Sequence, residues 1–120
     1  MSMQAVNIRN THYQFINESS SVDGASPARL VLVLFETLIR KLKQAEYHLK
    51  EEKFAKKTEN VLHALRIVDA LEDSLDFEKG GDIAQNLAIL YKHCRGLIVK
   101  GHIENDAAEI VSAIEILDLL

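Results

Sequence analysis

Six consecutive apolar residues, Leu30-Val31-Leu32-Val33-Leu34-Phe35, stand directly behind Ser26-Pro27-Ala28-Arg29 and lead into Glu36-Thr37-Leu38-Ile39-Arg40-Lys41-Leu42. A short apolar block suits a buried strand or a buried helix, and its flanks decide between them. Ser26 can accept a hydrogen bond from the first free backbone N–H groups of a helix, and Pro27 has the fixed φ and missing N–H that suit a first helical position. Past the block, Leu38, Leu42, Ala45 and Leu49 recur at three- and four-residue steps among Arg40, Lys41, Lys43, Gln44 and Glu46, all good helix formers. The pattern predicts a helix over 27–51. At about 100° per residue, Val31, Leu34, Phe35, Leu38, Leu42, Ala45 and Leu49 share one face, while Leu30, Leu32, Val33 and Ile39 fall outside it. A bundle helix needs one apolar stripe. The remainder is used either by central burial within the chain or by contact with another polypeptide.

At 120 residues the chain makes one domain able to bury roughly two-thirds of its unfolded surface. One proline, five glycines and little β-branched alternation imply helix nearly throughout after residue 26, hence an all-α, antiparallel, up-down four-helix bundle. The net charge of -4 and the absence of a long Lys/Arg cluster exclude a nucleic-acid surface. No segment has the apolar length of a signal peptide or a membrane span. The lone Cys94 has no internal disulfide partner, so the cytoplasm is the expected compartment.

Residues 1–25 form a polar leader with an apolar knot at Tyr13, Phe15 and Ile16, expected to be mobile or loosely docked beside a bundle over 26–120. A second helix is predicted over 54–75 with Val61, Ala64, Leu65, Val68, Leu71 and Leu75 on its core face and Leu62 and Ile67 at the edges. Gly80-Gly81 is expected to break the chain, with Asp82 and Gln85 as a capping box opening a third helix over 83–100. That helix turns Ile83, Leu87, Leu90, Tyr91, Cys94, Leu97 and Ile98 inward and leaves Ile89 and Val99 pointing elsewhere. Gly101-His102 ends it, and Asn105 caps a last helix carrying Ile110, Val111, Ile114 and Leu117. The helical pattern is still running at Leu120, so the natural chain is expected to continue.

Catalysis has little to stand on. A di-metal bundle needs an inward Glu-x-x-His pair, and Glu59 and His63 are four apart on the polar side of the second helix. No metal, cofactor or catalytic residue is expected. A histidine phosphotransfer bundle is the competing class: His93-Cys94-Arg95-Gly96 approximates its His-x-x-Lys-Gly pattern, with the glycine one residue early and His93 at the boundary of the core stripe. What stays unusual is the apolar surplus.

The ordered set of Tyr13-Gln14, residues 25–35, Lys57-Thr58-Glu59-Asn60-Val61-Leu62, residues 74–87, Leu90-Tyr91 and Asn105-Asp106 resembles the flagellar secretion chaperone family over almost the whole chain. Thr37 stands where that family usually has glycine, Gly101-His102 replaces a more usual Ala-Asn, and the family's tryptophan-containing tail is missing. The resemblance implies a bundle around which the disordered C-terminal segment of flagellin wraps. It also implies contact with the export apparatus or other flagellar regulatory proteins, and neither nucleic-acid binding nor membrane insertion. The off-core apolar residues Leu32, Val33, Ile39, Leu62, Ile67 and Ile89 are the expected partner-binding set, with Tyr13 and Ile16 as a displaceable cover.

Overall fold

A computed structural model describes residues 26–120. Helix α1 spans Pro27–Lys50, α2 spans Phe54–Asp73, α3 spans Phe77–Glu104 and α4 spans Ala107–Asp118. The Ser26 hydroxyl accepts from the Arg29 N–H at 3.2 Å and Pro27 occupies the first turn, as the flanks of the apolar block require. The α1–α2 turn closes through Lys53 N–H to His48 O at 2.8 Å, with Glu52 at a positive φ of 58°.

Each helix packs on its sequence neighbours, and α4 returns to pack on α1. The four described helices therefore form a closed antiparallel ring in which α1 and α3 are diagonal. One core fills it, from Val31, Phe35, Leu38 and Leu42 of α1 to Ile110, Ile114 and Leu117 of α4. The rings of Phe35 and Tyr91 meet across the diagonal with centroids 6.3 Å apart. Val61, Ala64, Val68 and Leu71 supply the α2 face, and Leu87, Tyr91, Cys94 and Ile98 the α3 face.

Helix α3 departs from the sequence expectation at both ends. Asp76 opens it, its side chain accepting from the N–H groups of Glu78 and Lys79 at 3.0 Å, one turn before the glycine pair. Gly80 is buried within the helix and only Gly81 leaves helical geometry, at φ 51° and ψ −127°, where glycine alone is unstrained. Gly81 thus breaks the regular helix, as the glycine pair predicts, and divides α3 into a short opening segment and the long run that follows, while Gly80 itself stays helical. At the far end Gly101 and His102 are helical; Asn105 terminates α3 in a left-handed conformation, and the Asp106 N–H returns to Gly101 O at 2.9 Å. Asp106 rather than Asn105 caps α4, through its carboxylate and the Ala108 N–H at 3.0 Å.

Candidate functional site

Twelve residues give α4 a length of about 18 Å, against about 36 Å for the 24 residues of α1. It folds back directly from the end of α3, where Gly101 faces Ile110 and Lys100 Nζ lies 3.7 Å from Glu109 Oε1. At the same rise per residue it runs out near the level of Tyr91. Beyond that level no described helix occupies the fourth position between α1 and α3. The α3 face that meets α4 at Gly101 continues into this stretch through Cys94, Leu90, Leu87 and Ile83 at three- and four-residue steps, and Leu90 and Ile83 are only half-buried. Leu32, three residues before Phe35, lies on an edge of α1 at the level of this stretch, whereas Ile39, one turn past Phe35, lies at the level of α4.

Two shallow grooves flank α2. Leu34, His63, Arg66, Ile67 and Ala70 line the one towards α1. Leu62, Leu65, Asp69 and Arg95 line the one towards α3, where Arg95 Nε donates to Asp69 Oδ1 at 3.0 Å. The expected partner-binding residues thus separate. Leu32, Val33, Leu62 and Ile89 are exposed, Val33 and Leu62 at 50% and Ile89 at 67%. Ile39 is half-buried against the core, and Ile67, at 5% exposure, belongs to it. A single-stripe wheel misplaces Ile67 because the edge of α2 that carries it lies against α1, its most extensively packed neighbour, beside Leu34, whereas the Leu62 edge faces α3. Tyr13 and Ile16 lie outside the described residues.

Exposed apolar side chains absent from that set are Leu30, Tyr47, Phe54, Phe77, Ile103 and Leu119. Ile103 falls outside a helix ended at residue 100, although its spacing of fourteen from Ile89 places both on one face of the longer α3.

At the opposite end of the bundle the buried Lys57 ammonium donates to His102 Nδ1 at 2.9 Å, His102 O at 3.1 Å and Asn105 Oδ1 at 2.8 Å. All three donors are satisfied, one of them by a carbonyl at the C-terminal end of α3, where a cation is favoured. Burial lowers the Lys57 pKa. Burial and the Lys57 charge both hold the His102 imidazole below its ordinary value. The neutral ring is the one the fold selects, because protonation would remove the acceptor and set two cations in contact. This contribution to stability is full above the ordinary histidine pKa of about 6.5 and is lost as pH falls through it towards the lowered folded value. The urea midpoint is therefore expected to fall between pH 7.5 and pH 5, and to fall less in His102→Asn, which keeps an acceptor without the titration. An equal fall in both proteins would refute the assignment.

Burial pushes the Cys94 thiol up to about 11, far from a reactive thiolate. Glu59, His63 and His93 are exposed. Among the described residues no group of three or more His, Cys, Asp or Glu is placed to hold a metal ion, and no helix is long and apolar enough to cross a membrane.

These features define a small antiparallel helical bundle with shallow apolar grooves on its outer faces. The family model for the flagellar protein FliS matches residues 9–120, and the chain belongs to that family. It is 34% identical to the flagellar secretion chaperone FliS of Salmonella typhimurium over 99 residues, 82% of this chain and 73% of the relative. It is similarly 31% identical to FliS of Vibrio cholerae over 88% of this chain and 77% of that one. With the flagellar secretion chaperone FliSB of Pseudomonas aeruginosa the figures are 30% identity, 80% and 76%.

Proposed function

We propose that this protein is a cytoplasmic export chaperone that holds the disordered C-terminal segment of flagellin, keeping it unpolymerised and competent for flagellar secretion. The observation that carries the reading is the set of exposed apolar residues on α1, α2 and α3, in a chain of this family. A disordered segment can cover separated grooves along such a surface, meeting its ordering cost from the apolar area buried on both sides. Leu32, Val33, Leu62 and Ile89 are its direct contacts, Ile39 and Ile67 act as the groove floor, and Tyr13 and Ile16 of the leader cover the surface until the client displaces them. Binding needs no cofactor and no catalytic step. Contact with the export apparatus or with other flagellar regulatory proteins would follow on the loaded complex.

The phosphotransfer class shares the bundle architecture but rests on the exposed His93 alone, whereas the family match spans nearly the whole chain. The two readings separate in one set of measurements. A labelled flagellin C-terminal peptide should bind the full chain, and Val33→Asp/Leu62→Asp should weaken it about 30-fold, the effect of losing about 2 kcal/mol at two interface anchors. Circular dichroism should show the double variant as helical as the parent. Undiminished affinity in that variant would overturn the surface assignment, and label transferred from acetyl phosphate to His93 would favour the competing class.

A further inference from the structure

Helix α1 carries Arg29, Arg40, Lys41, Lys43 and Lys50 against only Glu36 and Glu46, a net of +3 in a chain of net charge -4. The cations are not spread evenly round it. Arg40 and Lys43 lie on its outward face with Tyr47, and the Lys53 Nζ closes the same end, 5.8 Å from the Tyr47 ring centroid. Lys50 is held by Glu46 at 2.8 Å, while the polar contact of Arg40 is the uncharged Thr37 hydroxyl at 3.5 Å.

Arg40, Lys43, Gln44 and His48 line a shallow hollow with Ile39 at one end and Tyr47 at the other; Glu36 is its one acidic side chain, and Lys53 stands just outside it beside Tyr47. Its floor is fixed. Asn60 of α2, itself buried, pairs through Oδ1 with His48 Nδ1 at 2.7 Å and donates through Nδ2 to Gln44 Oε1 at 3.1 Å. The Tyr47 ring, 56% exposed, is set edge-on to the His48 ring at 5.4 Å. An exposed aromatic held between a cation and an imidazole loses little freedom on becoming an anchor.

We infer that the outward face of α1 is a docking site for an acidic protein segment carrying an apolar residue between its carboxylates, with Arg40, Lys43 and Lys53 facing the carboxylates and Ile39 and Tyr47 taking the apolar side chain. Charge complementarity selects this occupant. A second copy docked through the same face would set Arg40 and Lys43 against their own counterparts. A nucleic acid would meet few cations and the repulsion of the acidic remainder of the chain. The site shares only Ile39 with the flagellin reading and otherwise stands apart from it, since it requires acidic chemistry whatever the client is.

The test uses the full chain and three fluorescein-labelled synthetic peptides of about fourteen residues, followed by anisotropy. One has glutamates flanking a Leu-Phe pair, the second has lysines in place of those glutamates, and the third is polyglutamate. The first should bind, weaken at least five-fold between 50 and 300 mM NaCl, and weaken about ten-fold in Arg40→Gln/Lys43→Gln and about five-fold in Tyr47→Ala. Both variants replace exposed side chains, and helicity by circular dichroism is checked in each. The inference is overturned if the first peptide does not bind at 1 mM, if either control peptide binds as tightly, or if the double variant binds unchanged. Sedimentation showing a dimer lost in the double variant, or a single-stranded oligonucleotide that outcompetes the first peptide, would equally replace the acidic segment with another occupant. A flagellin peptide whose binding responds to Val33→Asp/Leu62→Asp but not to Arg40→Gln/Lys43→Gln would leave the two sites distinct.

Discussion

Ile67→Asp is expected to unfold the bundle, whereas Leu62→Asp, five residues earlier on the same helix, is expected to leave it folded. At Ile67 the new carboxylate would enter a core position with 5% exposure, packed among apolar side chains, while the Arg66 guanidinium that shares its groove is itself exposed at the rim. An unpaired buried charge of this kind costs about 3–5 kcal/mol, a large share of the stability of a small domain. Leu62 is half exposed and borders a groove that already holds Arg66 and Arg95, so a carboxylate there stays hydrated near two cations. Thermal unfolding by circular dichroism distinguishes the outcomes: loss of the cooperative transition for Ile67→Asp, and a midpoint within a few degrees of the parent for Leu62→Asp. A folded Ile67→Asp protein would mean that α2 can rotate its edge into solvent, and the packing described above would be wrong at that point.

The same pair marks how far the sequence could be read. Apolar periodicity reports the direction of a helix's mean buried face, a local property, and on α1 it places Val31, Phe35, Leu38, Leu42, Ala45 and Leu49 correctly. It does not report how closely each neighbour packs. Helix α2 lies closest to α1, so Ile67 on that edge joins the core while Leu62 on the edge towards α3 does not. The Ser26-Pro27 start was legible because capping is settled within one turn of chain. The bounds of α3 were not, because glycine is ambiguous without its surroundings. Gly81 does adopt the backbone that breaks regular helix, but Gly80 and Gly101 are helical. The exposed Ile103 drops out of view once Gly101 is taken for an end. The polar corner of Lys57, His102 and Asn105 joins residues 45 and 48 positions apart, and no spacing rule connects them.

Gly101 also sets the second large effect. A Cβ there would meet Ile110 Cγ1 at 2.8 Å, the Asp106 carbonyl oxygen at 3.0 Å and Glu109 Cβ at 3.2 Å. The isoleucine tip can turn aside, but the carbonyl belongs to the tight α3–α4 connection and accommodates nothing without moving the start of α4. Gly101→Leu is therefore expected to cost about 3 kcal/mol, the upper part of the range for overpacking a close contact, and to lower Tm by about 10–15 °C. Gly96, five residues earlier on α3, is the control: a Cβ there meets nothing within 4 Å, so Gly96→Ala should gain up to about 1 kcal/mol from helix propensity alone. The consequence reaches the proposed binding surface, because α4 is the wall that packs between α1 and α3, which carry Leu32, Val33 and Ile89. Displacing it at Gly101 should weaken the flagellin C-terminal peptide even at temperatures where the variant remains helical, while Gly96→Ala leaves that affinity unchanged. If Gly101→Leu melts with the parent and binds the peptide as well, the close approach of α3 and α4 is not what holds that wall in place.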